Sequence, residues 1–374
     1  MLRYMSAGES HGKGMVAILE GIPSGLRLVK EVINGELKRR KWGYGRGKRM
    51  EIEEDKVEII AGVRNNLTLG SPIALFIENK DYKIEELPSL FCPRPGHADL
   101  AGVLKYNTKD IRNILERASA RETVARVAVG AICKILLSEF NIEIISHVLQ
   151  IGKIKVEKRI RDFHQIKDLA ERSILRCIDK SAERKMLKEI EEAKEKKDTL
   201  GGVFEVIILN TPPGLGSFMQ YDLRLDGRIA QAIMSIPSVK AVEIGEGFLN
   251  ASLFGSEVHD KIYYEKKRGF YRKTNRAGGI EGGLSNGEPI IIRGYMKPIS
   301  TLLSPLDSVD IITKKKAKAI VERADICVVP SGGVIGEAVS AFEIAWAMRE
   351  KFGGDSLLEM KRNYRAYIQS LKNY

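Results

Sequence analysis

The sequence predicts an α+β fold. Strand-length apolar segments and apolar or amphipathic helical patterns both occur, without the strict strand–helix–strand alternation of a doubly wound sheet. A hydrophobic fraction of 44% over 374 residues is enough for a sizeable buried core. Length alone would allow two or three domains, yet no proline- or serine-rich linker and no fixed-period repeat divides the chain. Residues 1–374 therefore read as one domain carrying a charged helical segment at 153–198.

Taken in order, residues 16–20, 57–63 and 71–78 read as strands by apolar content, and residues 29–41 and 98–107 as helices. Residues 120–140 are the clearest helix, with Val124, Val127, Ala128, Ala131, Ile135 and Leu136 at helical spacing. Ser119 is placed to cap it, with Glu122 completing a capping box. Residues 142–151 return to a strand. The 153–198 segment is dense in lysine and glutamate, and residues 181–197 put Met186, Leu187 and Ile190 on one side of a helix. It reads as a solvated helical layer, with a regulatory or interaction insert as the alternative. Strand 203–209, helix 224–236, an apolar run at 290–292, and helices 316–324 and 336–351 complete the series.

The net charge of +12 points to an anionic partner without naming it. No apolar run approaches the roughly 20 residues of a membrane span, and the first residues do not resemble a secretory signal. Cys92, Cys133, Cys177 and Cys327 are far apart and form no metal-ligand pair, which fits reduced thiols in the cytoplasm.

Two histidines stand in unusual settings. Gly8-Glu9-Ser10-His11-Gly12 sets an acid, a hydroxyl and an imidazole between glycines. Pro93-Arg94-Pro95-Gly96-His97-Ala98-Asp99 repeats the idea in a rigid turn. Residues 39–49 hold six basic residues, three glycines, two aromatics and no acid. On that stretch alone, nucleic acid and a small phosphate or carboxylate ligand are equally good partners. Arg117, Ser119 and Arg121 sit at a helix start, a ready anion site. Residues 274–289 contain five glycines, which bring backbone close to a neighbour, and Lys297-Pro298-Ile299-Ser300-Thr301 follows with groups suited to phosphate. Neither a Walker loop nor a Rossmann fingerprint is present. Asp325, in Arg323-Ala324-Asp325-Ile326-Cys327 ahead of a buried strand, is a candidate base at a cleft edge. Ser331-Gly332-Gly333 leads into the last helix.

From the N-terminus to about residue 350, these segments together resemble the chorismate synthase family. The Gly-Glu-Ser-His-Gly motif, the Arg117-to-Thr123 helix start, the paired glycines ahead of Lys297-Pro298, and Arg323-x-Asp325-x-Cys327 occur in family order. The resemblance implies a β-α-β sandwich with antiparallel sheets flanked by helices, usually assembled as a homotetramer. It implies a 1,4-anti elimination of phosphate from 5-enolpyruvylshikimate 3-phosphate, giving chorismate for aromatic amino acid synthesis. The reaction uses reduced FMN without net redox change, and some members reduce their own flavin with NADPH. A substrate with one phosphate and two carboxylates accounts for the basic loops without nucleic acid or membrane.

Carried over by position, His11 and His97 are the acid/base histidines and Asp325 acts through the flavin N5 in removing the ring proton. Ser10, Arg40, Arg46, Arg121 and Arg323 would hold substrate anions. Arg40, Arg46, Arg117, Ala118, Ser119, Pro237, Ser238, Gly282, Lys297, Pro298, Ile299, Ser300, Thr301 and Arg323 would contact flavin. Pro237 and Ser238 replace an Asn-Ala pair common in the family, so backbone contact alone is implied there. Two rivals predict other features. A hydride-transferring flavin enzyme needs a nicotinamide site, and a basic RNA-binding protein needs aromatics along exposed strands, which the 7% aromatic content supports little.

Overall fold

The computed structural model describes residues 1–47, 53–158, 160–266, 268–322 and 325–374. Its framework is two antiparallel sheets with helices packed between them, as an α+β sandwich requires. The first sheet has the order β1 (Arg3–Ala7), β2 (Gly14–Glu20), β4 (Ile73–Glu78), β3 (Val57–Ala61). The second has the order β8 (Val239–Ile244), β9 (Ile290–Met296), β7 (Gly202–Leu209), β5 (Glu143–Ile151), β6 (Ile154–Lys155). All neighbours in both sheets run antiparallel.

Helix α4 (Thr123–Ser138) lies against the first sheet, and α8 (Val329–Phe352) against the second. The two helices pack on each other, so each buries apolar residues on more than one side. Their crossing is close because position 130 is glycine. A Cβ there would stand 2.5 Å from the backbone and Cβ of Ala338. One apolar cluster runs from Leu19 and Leu75 in the first sheet, through Val127 and Ile344, to Phe204 and Ile292 in the second. Helix α1 (Lys30–Lys41) also faces α4 and α8, and α7 (Leu225–Met234) covers the other side of α8. On the outer face of the second sheet, α5 (Phe163–Arg172) buries Ile166 and Ala170 against Ile145, Ile207 and Leu209.

The charged segment is two helices with real inner faces. Asp179 caps α6 (Lys180–Glu195) by accepting from Ser181 N at 2.8 Å. Ala182, Met186, Ile190 and Ala193 of α6 then enter the main core. The lysines and glutamates occupy the outer face, so the solvated layer is half of the description.

Several elements differ from the sequence-based expectation. Residues 316–322 of the helix expected over 316–324 do not form one: Lys316–Lys318 is a strand paired with Asp307–Val309. The Asp310 carboxylate accepts from the Ile312 and Thr313 amides at 2.8 Å each, and that turn sends the chain back as a hairpin. Residues 323–324 lie outside the described residues. Helix α8 starts at Val329, with Pro330 in its first turn, not at 336. Residues 325–328 make only one bridge, Leu200 to Cys327, and no strand. The capping box is half realised. Ser119 accepts from Arg121 N and caps a 3-10 turn (Ala120–Glu122), while Glu122 pairs with Arg126 instead. Strands β1 and β8, and helices α3 (Arg112–Ala118) and α9 (Leu357–Lys372), carried too weak an apolar pattern to be read.

Candidate active site

Loops from both halves of the sandwich meet around a cavity of about 610 Å³. Each histidine in it rests on a buried carboxylate. His11 follows β1, in a turn that Asn79 pins from the end of β4. The Asn79 amide donates to the carbonyls of Glu9, Ser10 and Gly12 at 3.0, 3.2 and 2.8 Å. Glu116, on α3, then accepts from the His11 backbone N at 2.7 Å and faces His11 Nδ1 at 2.9 Å. Burial alone would raise the Glu116 carboxyl, but the His11 bonds outweigh it and hold it below the usual range. His11 Nδ1 therefore donates, and Nε2 lies 3.9 Å from Asp81 Oδ2.

His97 is built the same way from one short turn. Asp99, fully buried at the start of α2 (Asp99–Tyr106), faces His97 Nδ1 at 2.5 Å. The same carboxylate accepts from Arg94 Nε at 2.8 Å and from Arg94 Nη2 at 2.9 Å. Burial would push the Asp99 carboxyl up; bonds from Arg94 and His97 hold it well below the usual range. Arg94 also donates to Thr301 Oγ1 at 2.8 Å, and Ser300 Oγ donates to Gly96 O at 2.7 Å. These two bonds fasten the His97 turn to the 297–301 segment.

Arg40 and Arg121 share one buried acid. Asp55 accepts from Arg40 Nη2 at 2.8 Å and, on its other oxygen, from Arg121 Nη1. Arg121 Nε donates to Asn79 Oδ1 at 2.8 Å, so Asn79 ties this pair to the His11 turn. The two guanidiniums outweigh burial and keep the Asp55 carboxyl low. The Asp325 carboxylate sits under the basic loop. Gly47 N donates to its Oδ1 at 2.5 Å, and Arg46 Nη1 lies 3.4 Å from its Oδ2.

Ser10, His11, Arg40, Arg46, His97, Ala118, Ser119, Arg121, Pro237, Ser238, Lys297, Ile299, Ser300, Thr301 and Asp325 all line this cavity. Three expected residues do not. Arg117 turns to Ser6 and the Gly8 carbonyl, and Pro298 is exposed outside the lining. Gly282 lies in a separate hairpin (Ile280–Glu281 with Leu284–Ser285) with open space at its Cβ position. Arg323 lies outside the described residues. The lining also includes Lys83, Arg94, Lys240, Asp81 and Glu322, which the sequence reading did not select as site residues. Arg94 was visible in the His97 motif; the others belong to no recognisable pattern.

The lining carries seven lysines and arginines against three carboxylates, among the described residues. Apolar groups join them, including Leu87, Leu115, Ile236, Val239, Met296, Ile299, Val328 and Ile335. Burial and the nearby Lys240 lower the Lys297 ammonium from its usual range, a sign of crowded positive charge. Such a lining suits a flat apolar ring with an anionic tail, next to a second anionic molecule.

A family model described as chorismate synthase matches residues 2–348. A chorismate synthase from Alkaliphilus oremlandii is 52% identical over 383 residues, and the match spans the whole of both chains. One from Aquifex aeolicus is 52% identical over 396 residues, covering 100% of this chain and 99% of its own. A crystal structure of a chorismate synthase superposes with a TM-score of 0.84 at 46% identity, covering 100% of this chain and 99% of that one. On this evidence of sequence and shape together, the chain belongs to the chorismate synthase family of enzymes.

Proposed function

We propose that this chain eliminates phosphate from 5-enolpyruvylshikimate 3-phosphate to give chorismate, as a carbon–oxygen lyase of the shikimate pathway. The observation that carries this reading is the meeting of His11, His97 and Asp325 in one cavity with an excess of cations. A trianionic substrate beside an anionic flavin requires such an excess, because the two would otherwise repel each other. Reduced FMN, when bound, lends electron density as phosphate leaves and recovers it as the ring hydrogen departs.

The chain's own groups do the rest. Arg40, Arg46 and Arg121 hold anionic groups, with Arg40 and Arg121 kept in place by Asp55. Lys297, Ser300 and Thr301 suit the flavin phosphate and ring edge, and the apolar lining suits its rings. The two imidazoles present Nε2 to the cavity because Nδ1 of each is committed to a carboxylate. One Nε2 protonates the departing phosphate, and the other donates to the bound reduced cofactor and steadies its negative charge. Asp325 Oδ2 holds the proton released from the ring carbon. Enclosure by the basic loop excludes water and strengthens every one of these contacts. A cytoplasmic homotetramer is part of the same proposal and rests on family membership.

Anaerobic turnover tests the proposal. The protein is mixed with dithionite-reduced FMN and substrate, and chorismate absorbance and released phosphate are followed. Equal yields of both, with flavin still reduced at the end, are expected. Flavin binding without chorismate would overturn the proposal.

A further inference from the structure

The lysine- and glutamate-rich helix α6 touches the candidate active site from behind, through every segment that brings Arg46 and Asp325 together. Tyr44 of the basic loop donates its hydroxyl hydrogen to Glu191 Oε1 on α6. The next residue, Gly45, has φ +84, and a Cβ there would stand 3.1 Å from Ile190 Cγ2 and 3.4 Å from Cys327 N. The loop backbone is thus wedged between α6 and the Asp325 segment, and glycine alone fits the wedge. Gly45 O accepts from Ile326 N at 2.7 Å, two residues before Gly47 N reaches Asp325.

The exit from α6 repeats the link. Leu200 N donates to Ile326 O at 2.8 Å, and Thr199 Oγ1 donates to Ile299 O at 2.8 Å. Ser304 N donates to Lys197 O at 3.1 Å. One helix and its exit therefore abut the basic loop, the Asp325 segment and the 297–304 segment, while lining none of the cavity themselves. The Lys/Glu-rich composition hides this role, because the contacts come from one glutamate, one isoleucine, one threonine hydroxyl and backbone.

We infer that α6 is a positioning element for the anion-binding loop, with Glu191 and Tyr44 as the positioning residues that hold Arg46 over Asp325. The inference rests on the proposed function for its meaning in catalysis, but its geometry is independent of it. The bond from Tyr44 favours the seated loop; without it, the loop opens more often and the anion site is assembled for less of the time.

The test uses the full chain and two readouts. Tyr44→Phe and Glu191→Ala remove the bond while leaving the ring or the helix in place; Glu191→Gln keeps an acceptor. Hydrogen exchange of the loop peptide containing the Gly47 amide should quicken by about tenfold in Tyr44→Phe and Glu191→Ala. Exchange in α8 should not change. In steady-state assays both variants should raise KM for substrate by several-fold more than they lower kcat. Glu191→Gln should lie near the parent in both readouts, and the double variant should be no worse than either single one. Unchanged loop exchange in both variants overturns the inference. Faster exchange with an unaltered KM overturns the part that concerns binding. Absence of turnover in the parent enzyme strikes the proposed function alone, and the exchange rates then decide the coupling.

Discussion

Asp99 faces His97 Nδ1 at 2.5 Å while its other oxygen accepts from Arg94 Nε at 2.8 Å. One buried carboxylate thus sets the tautomer of a cavity histidine and the direction of a cavity arginine. Asp99→Asn removes the charge that both rely on and lets the imidazole take the other tautomer. We expect turnover to fall by about 10²–10⁴-fold, as when an orienting acid is lost from a catalytic histidine. Steady-state kinetics on the folded variant would measure it; a loss under about threefold would refute this assignment for His97.

The same residue predicts a pH dependence of stability. Its folded-state pKa lies below the ordinary value of about 3.9, so its contribution is complete above that value. The contribution fades as pH falls toward the folded-state pKa. Denaturant midpoints of the parent and Asp99→Asn should therefore differ most above about pH 5, and the gap should narrow steadily as pH falls below about 4. A constant gap would show that the carboxylate charge is not what matters.

Glu116 holds His11 by two atoms, the backbone N at 2.7 Å and Nδ1 at 2.9 Å. Glu116→Ala should cost about 10²-fold in kcat/KM, because the ring loses both its tautomer and its orientation. Glu116→Gln should cost less, since an amide oxygen still accepts one of these bonds. The order of the two variants is the informative outcome. If glutamine were as damaging as alanine, charge and not placement would be the role of Glu116.

Much of this site was legible in the sequence, for a physical reason. Groups that meet ligand sit on short turns rich in glycine and proline, and such turns keep a compact signature. His11, His97 and the basic loop were found that way. Of the acids behind them, Asp99 stood in the His97 motif, but Glu116 and Asp55 carried no such signal. Glu116 lies 105 positions from His11, and Asp55 reaches Arg40 and Arg121 across 15 and 66 positions. A partner's carboxylate has no periodicity that marks it. Asn79 escaped notice for the same reason, although three carbonyls of the His11 turn depend on it. Among the elements, α4 and β7 were plain because both carry long runs of apolar, buried residues. Strand β1 alternates exposed and half-buried positions at a sheet edge, and the 316–318 hairpin is mostly lysine, so their strand character came from pairing alone.

Asp55 separates two guanidiniums; without it Arg40 loses its carboxylate partner and, among the described residues, Arg121 keeps only Glu53, at 3.3 Å. Asp55→Asn should destabilise the fold by about 3–5 kcal/mol, the usual cost of stranding a buried charge. A second consequence distinguishes it from an ordinary core defect. Inorganic phosphate can replace the missing anion, so it should raise the melting temperature of Asp55→Asn more than that of the parent. Equal shifts in thermal melts at matched ionic strength would argue against a shared anion position at Arg40 and Arg121.

Arg39, next to Arg40 on α1, supplies the contrast. Its guanidinium turns away from the cavity to Glu337 on α8, donating at 2.7 and 3.0 Å. Glu337 is fully buried and also accepts from Lys134, from Arg176 at 3.2 Å and from Ser146 Oγ at 2.6 Å. Three cations around one carboxylate hold it well below its usual range despite burial. Glu337→Gln leaves them without their central counter-charge, with Glu36 and Glu171 as partial substitutes. The expected loss is again about 3–5 kcal/mol. No residue of this cluster lines the cavity, so kcat and KM of the folded variant should stay within about twofold of the parent. Phosphate should bring no selective rescue, since the cavity arginines keep Asp55. Two neighbouring arginines on one helix thus make opposite predictions: disturbing the acid that partners Arg40 changes anion response, whereas disturbing the acid that partners Arg39 changes stability alone. A selective phosphate effect in Glu337→Gln would mean that the core network and the cavity are coupled through α1.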